Sequence, residues 1–152
     1  MSAASLDLEV TSDPQNLPRL REDVREWVLA QGWTEQQAGE LVLALDEAVT
    51  NVIRHGYDGR PQQRILVTAE VMSDPREGEG LELRVRDFGK QVDPQRICGR
   101  DLEDVRPGGL GVHIIRAMTS TCEYERAEGG GMRLIMRKYK SHVASNDRTE
   151  VP

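Results

Sequence analysis

The stretch LALDEAVTNVIRHGYDGRPQQRILVTAEV, residues 43–71, decides the fold because its hydrophobic period changes partway along it. Before Gly56 the apolar residues recur at three- and four-residue spacing, which is typical of one face of a helix. From Ile65 to Val71 they alternate with other residues, which is typical of a half-buried strand. The stretch therefore predicts a helix that ends at Gly56 and leads into a strand of a sheet.

Both patterns recur in the flanking sequence. Residues 17–31 have helical spacing, and Gly32 ends that run. Thr34 and Gln37 have the spacing of a capping box, which predicts the start of the second, longer helix. Alternating apolar residues predict strands or strand segments at four further places, Leu6–Val10, Leu81–Val85, Cys122–Arg126 and Met132–Tyr139.

A third helix is predicted in RPGGLGVHIIRAMTS, residues 106–120, directly after three glycines in four positions. Gly108, Gly109 and Gly111 fill no core and cost backbone entropy, so bare backbone must be useful there. One interpretation is a glycine-rich loop that enters a buried helix. The other is a helix start whose unpaired N–H groups bind an anion such as phosphate. This stretch alone leaves both open.

The element order is strand, two helices, two strands, loop, helix, two strands. That order predicts the α+β class, as a two-layer α/β sandwich with helices on one face of a mostly antiparallel, mixed sheet. The chain of 152 residues suits one domain, which we place over residues 1–140. Residues 141–152 are polar and are predicted to form a disordered tail.

Composition excludes several classes of partner. The formal net charge of −6 argues against non-specific nucleic-acid binding and against an anionic membrane surface. No apolar run approaches the roughly 20 residues of a membrane span, and the N-terminus lacks a signal-peptide pattern. Cys98 and Cys122 have no metal-ligand spacing. We therefore expect a cytoplasmic protein with two reduced thiols.

Polar residues break the helical pattern at Glu47 and Asn51, which are four apart and so lie on the same side. One interpretation is an ordinary solvated pair. The other is a functional pair in a groove, because the flanking Ala44 and Ala48 make this side of the helix half apolar. In such a groove a carboxylate can take a proton and an amide oxygen can bind Mg²⁺. Asp46 is the weaker alternative for these tasks because it lies at the edge of the core stripe.

Asp87 ends a row of core-facing strand residues that includes Leu83 and Val85. Burying an unpaired carboxylate costs several kcal/mol, so Asp87 needs a partner or lies at the mouth of a pocket. It either caps the turn that Gly89 bends, or accepts hydrogen bonds from a ligand amine.

In this order the Glu47/Asn51 pair, Asp87-x-Gly89 and the glycine-led helix resemble the N box and two glycine boxes of the histidine-kinase-like ATPases. These proteins share the Bergerat nucleotide-binding fold. The stretches LALDEAVTNVIRHGY and GGLGVHII are especially similar to those of the bacterial anti-sigma-factor serine kinases. The resemblance runs from Leu17 to Tyr139, which is nearly the whole chain.

The resemblance implies a role for each motif residue. Glu47 would be the catalytic carboxylate that activates the acceptor hydroxyl, and Asn51 would hold Mg²⁺ between the phosphates of ATP. Asp87 would receive the adenine amino group, and Gly89 would let the base approach the backbone. The implied residues of the phosphate site are Gly108, Gly109, Leu110, Gly111, Val112 and Arg106. The candidates for a cation near the terminal phosphate are Arg54, Arg100 and Arg106.

The resemblance implies an ATP- and Mg²⁺-dependent protein serine kinase that acts as an anti-sigma-factor-like switch. Its partner would be an anti-anti-sigma-type protein, phosphorylated on serine, and its further partner a sigma factor. A homodimer through the first helix and the Leu6–Val10 edge is also implied.

Two departures favour an alternative. Lys90-Gln91 stands where a second glycine often occurs, and Met132 where relatives tend to have threonine. The alternative is a non-catalytic nucleotide-sensing module that regulates another signalling protein by contact.

Overall fold

The predicted order of elements is confirmed by the computed structural model, which describes residues 4–94 and 109–144. The short 3-10 turn Pro14–Asn16 precedes the first helix. The helices are α1 (Leu17–Ala30), α2 (Glu35–Asn51) and α3 (Gly109–Met118), and the strands are β1 (Ser5–Thr11), β2 (Arg64–Asp74), β3 (Gly78–Asp87), β4 (Thr121–Arg126) and β5 (Met132–Tyr139).

The five strands form one sheet in the order β1-β2-β3-β5-β4. Every pairing is antiparallel, and no parallel pair occurs in the part of the chain that the structure describes, so the expected mixed character is not found there. β1 is an edge strand, as predicted, and β3 lies at the centre between β2 and β5. The centre of the sheet therefore carries Asp87 at the end of β3.

The helices cover one face of this sheet, which confirms the two-layer sandwich. The predicted stripe of α2 is buried through Ala38, Leu41, Leu45 and Val49. The tryptophans of α1 and the α1–α2 turn, Trp27 and Trp33, are 7% and 6% exposed and belong to the core. The other buried core residues come mainly from α1 and the inner strand face, including Leu20, Val24, Val28, Ile65, Val67, Leu81, Leu83, Val85, Leu134 and Met136.

The start of α2 is fixed as its sequence predicts. The Thr34 hydroxyl accepts from the N–H of Gln37 at 3.1 Å, and the Gln37 side chain accepts from the N–H of Thr34 at 3.0 Å. α1 ends before Gly32, whose φ is +87°. Both ends confirm the predictions from capping chemistry.

The end of α2 differs from the prediction. The α-helix stops at Asn51, and one π-helical turn, Val52–Gly56, follows it. The N–H of Tyr57 closes this turn on the carbonyl of Val52 at 2.9 Å. Gly56 therefore ends the helical run but not as a left-handed cap, because its φ is not among the positive ones. Such π turns often lie at functional sites.

The outer face of the sheet buries an acidic residue that the sequence pattern placed in solvent. Glu82 on β3 is 6% exposed. Burial alone would raise the pKa of its carboxyl, but hydrogen bonds from Arg137 at 2.8 Å and Arg84 at 2.7 Å outweigh burial and hold that pKa below its usual range. On the face of the sheet opposite the helices, Arg84 and Arg137 therefore cover Glu82 in a network of ion pairs.

Candidate functional site

A cavity of about 330 Å³ lies where α2, the π turn, the sheet and the start of α3 meet. That volume lies within the range of small-molecule sites, about 300–1,000 Å³. The polar residues at the cavity are Asn51, His55, Asp87 and Lys90. The remaining lining is mainly apolar and consists of Ala48, Val52, Gly56, Val85, Val92, Val112, Tyr124, Met132 and Leu134.

Asp87 is the buried polar group of this cavity, with only 3% of its surface exposed. Its Oδ1 accepts from the N–H of Gly89 at 2.9 Å and from the N–H of Met132 at 3.3 Å. No residue within 4–94 or 109–144 donates to Oδ2. Burial raises the pKa of the Asp87 carboxyl, and the two backbone hydrogen bonds and nearby Arg86 only partly offset it. Asp87 thus caps its turn with one oxygen, and its other oxygen has no donor among the described residues.

Three glycines lie where separate segments converge on Asp87. A Cβ on Gly56 would lie 3.6 Å from Oδ1 of Asp87, which is an ordinary contact, so the approach depends on the other two glycines. A Cβ on Gly89 would lie 2.2 Å from the carbonyl oxygen of Gly56. Gly131, with φ +76°, is closer still, since a Cβ there would lie 2.0 Å from the carbonyl oxygen of Asp87. Gly89 is therefore required by packing on Gly56, while its role toward a base stays a prediction.

The two polar residues predicted on α2, Glu47 and Asn51, differ in their position relative to the cavity. Asn51 lines it, whereas Glu47, half-buried one turn earlier, does not. Within the described part of the chain neither side chain forms a hydrogen bond, so the Asn51 carboxamide oxygen is available to a hard cation. Asp46 instead accepts from Arg21 of α1 at 3.3 Å. The Asp46 carboxylate is therefore engaged by α1, whereas Glu47 forms no ion pair in the described part of the chain.

The start of α3 lies at the opposite wall. Gly109 and Gly111 belong to its first turn, and Val112 lines the cavity. Through Val112 the first turn of this ten-residue helix borders the cavity, as the anion-binding interpretation requires. Other predicted phosphate contacts, namely Gly108, Arg100, Arg106 and the side chain of Leu110, lie outside the described residues. Arg54 is exposed and does not line the cavity.

The family model of the histidine kinase-like ATPase domain matches residues 10–138. The chain belongs to this family. Its sequence is 30% identical over 116 residues to the serine-protein kinase RsbW of Listeria monocytogenes, a match that covers 71% of this chain and 69% of that protein. It is 26% identical over 149 residues to the anti-sigma F factor of Clostridium beijerinckii, covering 95% of this chain and 100% of that protein.

A solved structure supports the fold of this ATPase-family domain. The crystal structure of the RsbU and RsbW domains of Rv1364c from Mycobacterium tuberculosis matches with a TM-score of 0.65 and 19% identity. The match covers 90% of this chain and 32% of that one. No helix within the described ranges is long and apolar enough to cross a membrane.

The two departures from the family pattern have structural explanations. The backbone N–H of Lys90 donates to the carbonyl of Gly56 at 3.1 Å, and its ammonium pairs with Asp58 at 2.7 Å. Gln91 donates its side-chain N–H to the carbonyls of Ala127 at 2.9 Å and Gly131 at 3.2 Å. Gln91 thus ties the segment after β3 to the β4–β5 turn.

Met132, the second departure, contributes both its backbone and its side chain to the site. Its N–H donates to Asp87, and its side chain lines the cavity at 7% exposure. A threonine here would place a hydroxyl on the same wall, so the methionine makes that wall more apolar.

Metal binding by protein side chains alone has no site in the described residues. No group of three or more His, Cys, Asp or Glu side chains comes together there. A single amide such as Asn51 suits Mg²⁺ that is held mainly by phosphates and water, the usual coordination of this ion.

Several residues that line the cavity were not predicted as site residues, among them His55, Gly56 and Lys90. His55 follows Asn51 by four positions, so helical spacing alone would have placed it on the same side. Gly56 was interpreted as a helix stop only. Lys90 was noted only as a departure from the glycine pattern, and it reaches the cavity because its backbone N–H bonds to Gly56.

Proposed function

We propose that this ATPase-family domain is an ATP- and Mg²⁺-dependent protein serine kinase with an anti-sigma-factor-like regulatory role. The observation that carries the proposal is the convergence of Asp87, Asn51 and the first turn of α3 on one cavity. The relatives named serine-protein kinase and anti-sigma F factor support the same reaction and role.

The nucleotide base binds at the buried end of the cavity. Oδ2 of Asp87 accepts a hydrogen bond from the adenine amino group, while Val85, Met132 and Leu134 supply apolar contacts. A buried carboxylate that lacks a second donor favours an amino group over a carbonyl at this position. The site thereby selects adenine over guanine, which presents a carbonyl oxygen at the equivalent atom.

The phosphates bind toward the start of α3. Backbone N–H groups of its first turn donate to phosphate oxygens, and the positive end of the helix dipole favours their charge. Asn51 supplies an amide oxygen to Mg²⁺, which when bound neutralises charge on the phosphates. Positioning and charge neutralisation are the main demands of phosphoryl transfer.

Glu47 acts on the acceptor. Its carboxylate takes the proton of a serine hydroxyl on the partner as the serine Oγ–phosphorus bond forms. The bond from the terminal phosphorus to the bridging oxygen breaks, and ADP leaves with that oxygen. The partial exposure of Glu47 outside the cavity suits a base that faces a protein substrate.

The partner is an anti-anti-sigma-type protein, and a sigma factor is the second binding target. We propose that the protein works as a homodimer through α1 and the β1 edge of the sheet. Sedimentation of the isolated protein tests this arrangement, and a strictly monomeric species at micromolar concentration would overturn it.

The kinase proposal is tested by incubating the protein with Mg²⁺-ATP and a candidate anti-anti-sigma-type protein, with phosphoserine detected by mass spectrometry. Glu47→Gln should lower the transfer rate roughly 10²- to 10⁴-fold, the range for a general base, and should leave ADP affinity unchanged. Glu77→Gln, at an exposed position of the β2–β3 turn, is the matched control and should keep full activity. Full transfer by the Glu47 variant would refute the assigned base.

A non-catalytic nucleotide sensor is the second candidate. It is favoured by Glu47 standing outside the cavity lining and by Met132 on the wall. Calorimetry with ATP and ADP separates the two, because a sensor binds nucleotide tightly without phosphorylating any partner. No nucleotide binding at all would reject both.

A further inference from the structure

Lys138 on β5 is a buried cation outside the cavity. It points to the helix layer and is 0% exposed. Its ammonium donates to the carbonyl of Met118 at 2.7 Å and to the Glu40 carboxylate at 3.0 Å. Nδ1 of His142 lies 2.8 Å away. His142 falls in the predicted tail, so the beginning of that segment packs on the domain.

The contact with Met118 is the informative one. Met118 is the last residue of α3, so its carbonyl has no acceptor role within the helix and lies at the negative end of the helix dipole. A buried ammonium at this place satisfies the carbonyl and stabilises the end of α3. Burial lowers the pKa of Lys138, and Glu40 partly restores it.

Other bonds fix the same end of α3 to β5. The N–H of Ser120 donates to the carbonyl of Arg137 at 2.7 Å. The N–H of Tyr139 donates to the Ser120 hydroxyl at 3.0 Å. α3 is therefore anchored at its C-terminal end, while its first turn lies at the cavity about 15 Å away for a ten-residue helix.

We propose that Lys138 is a positioning residue that holds the C-terminal end of α3 on β5 and so sets where the first turn of α3 meets nucleotide phosphates. The phosphate part rests on the proposed function. The helix acts as a rigid rod, so a displacement at the Lys138 end moves the amides at the cavity end.

The test compares Lys138→Met with Lys140→Met, measuring hydrogen exchange, ATP affinity and adenosine affinity. Lys140 is the matched control because its ammonium pairs with Glu79 at 2.7 Å on the surface. Lys138→Met should speed amide exchange in residues 109–118 about five- to thirtyfold, from the size of a charge interaction at a partly buried helix end. It should also lose ATP affinity while adenosine affinity is unchanged, a split that general destabilisation would not produce.

A double variant, Lys138→Met with Glu40→Met, separates positioning from stability. Replacing a buried ion pair by apolar residues is often neutral or stabilising, so this variant should fold even where the single one does not. It should still show fast exchange in 109–118 and weak ATP binding. If either variant showed the wild-type rate of amide hydrogen exchange in residues 109–118, the role assigned to Lys138 would be overturned, while the proposed function would stand. A wild-type protein that binds no ATP would overturn the proposed function and the phosphate part with it.

Discussion

At the scale of single residues, we expect the two carboxylate oxygens of Asp87 to have different tasks, one in capping the turn and one in binding nucleotide. Oδ1 is held by Gly89 and Met132, and Oδ2 is left for the ligand. Asp87→Asn keeps an acceptor for the two N–H groups but turns a donor toward the adenine amino group. We expect ATP affinity to fall roughly ten- to a hundredfold, as for a lost hydrogen bond to a charged group.

Calorimetry measures that loss, and Asp74→Asn is its matched control. Asp74 also accepts from two backbone N–H groups, of Arg76 at 2.8 Å and Glu77 at 3.0 Å, but it lies in the β2–β3 turn away from the cavity. Equal ATP affinity for Asp87→Asn and wild type would contradict the assigned adenine contact.

Asp87→Asn should raise the stability of the ligand-free fold at pH 7, although it lowers ATP affinity. Burial raises the folded-state pKa of Asp87, so the stability it contributes is full below its ordinary pKa, about 3.9, and is lost as pH rises through the raised value. At pH 7 the ionised group therefore destabilises the ligand-free fold. Asp87→Asn should raise the melting temperature at pH 7, by an amount that shrinks toward pH 4 as the wild-type carboxyl takes up its proton.

Thermal melts across that pH range test this expectation, with Asp74→Asn again beside it. Backbone hydrogen bonds lower the pKa of Asp74, so its contribution is present above the ordinary pKa and its loss should lower stability at pH 7. A lower melting temperature for both variants at pH 7 would show that burial is not the dominant influence on the pKa of Asp87.

At the scale of elements, the β4–β5 turn lies directly on the end of β3. Gly130 and Gly131 both have positive φ, +104° and +76°, but only a Cβ on Gly131 meets other atoms within 4 Å. Gly130→Ala should cost only backbone strain, about 1–3 kcal/mol. Gly131→Ala should cost clearly more, because its methyl group would displace the main chain of Asp87, and should weaken ATP binding as well.

Urea unfolding and nucleotide titration of the two variants measure this difference. Because both substitutions are glycine to alanine in one turn, the comparison cancels the strain that they share. Equal losses of stability, or ATP binding that survives Gly131→Ala, would show that the turn does not support Asp87.

Elements were predictable where burial follows a regular period. The α2 stripe and the alternation in β2, β3 and β5 both identified helix and strand correctly, since each face of these elements contacts one environment. The π turn Val52–Gly56 was not predictable, because it is stabilised by the close approach of Gly56, Gly89 and Asp87. Local propensity carries no information on such a contact between distant segments.

At the scale of the whole molecule, nucleotide binding should raise the melting temperature by linkage. A ligand at one hundred times its dissociation constant adds about 2.7 kcal/mol, and a chain of this size gains about 2–4 °C per kcal/mol. Mg²⁺-ATP should therefore raise the melting temperature roughly 5–10 °C. Scanning calorimetry measures the shift, and Asp87→Asn at the same ATP concentration should show at most about half of it, given the ten- to hundredfold loss of affinity expected above.

Guanosine triphosphate at equal concentration is the control for that experiment. It carries the same phosphates and binds Mg²⁺ equally, but it presents a carbonyl oxygen to Asp87. An equal shift with both nucleotides would contradict selection of adenine by this carboxylate.

The burial and the partners of charged side chains were only partly predictable from the sequence. Asp87 was singled out because it ends an apolar row, and the structure places it at the cavity. Lys138 continues the alternating row of Leu134 and Met136 in the same way but was not singled out, and Glu82 lies on a strand face whose sequence gave no sign of burial. Their partners, Glu40 and Arg137, are 98 and 55 positions away, so only the assembled sheet and helices bring them into contact.

The crossing of Gly131 over Asp87 has a consequence for engineering. With no room for even a methyl group between the two backbones, the spacing of the last hairpin is fixed relative to Asp87, the residue proposed to contact the base. Libraries that aim to change nucleobase preference should therefore leave this crossing and the core residue Val85 intact and diversify Met132, whose side chain lines the pocket.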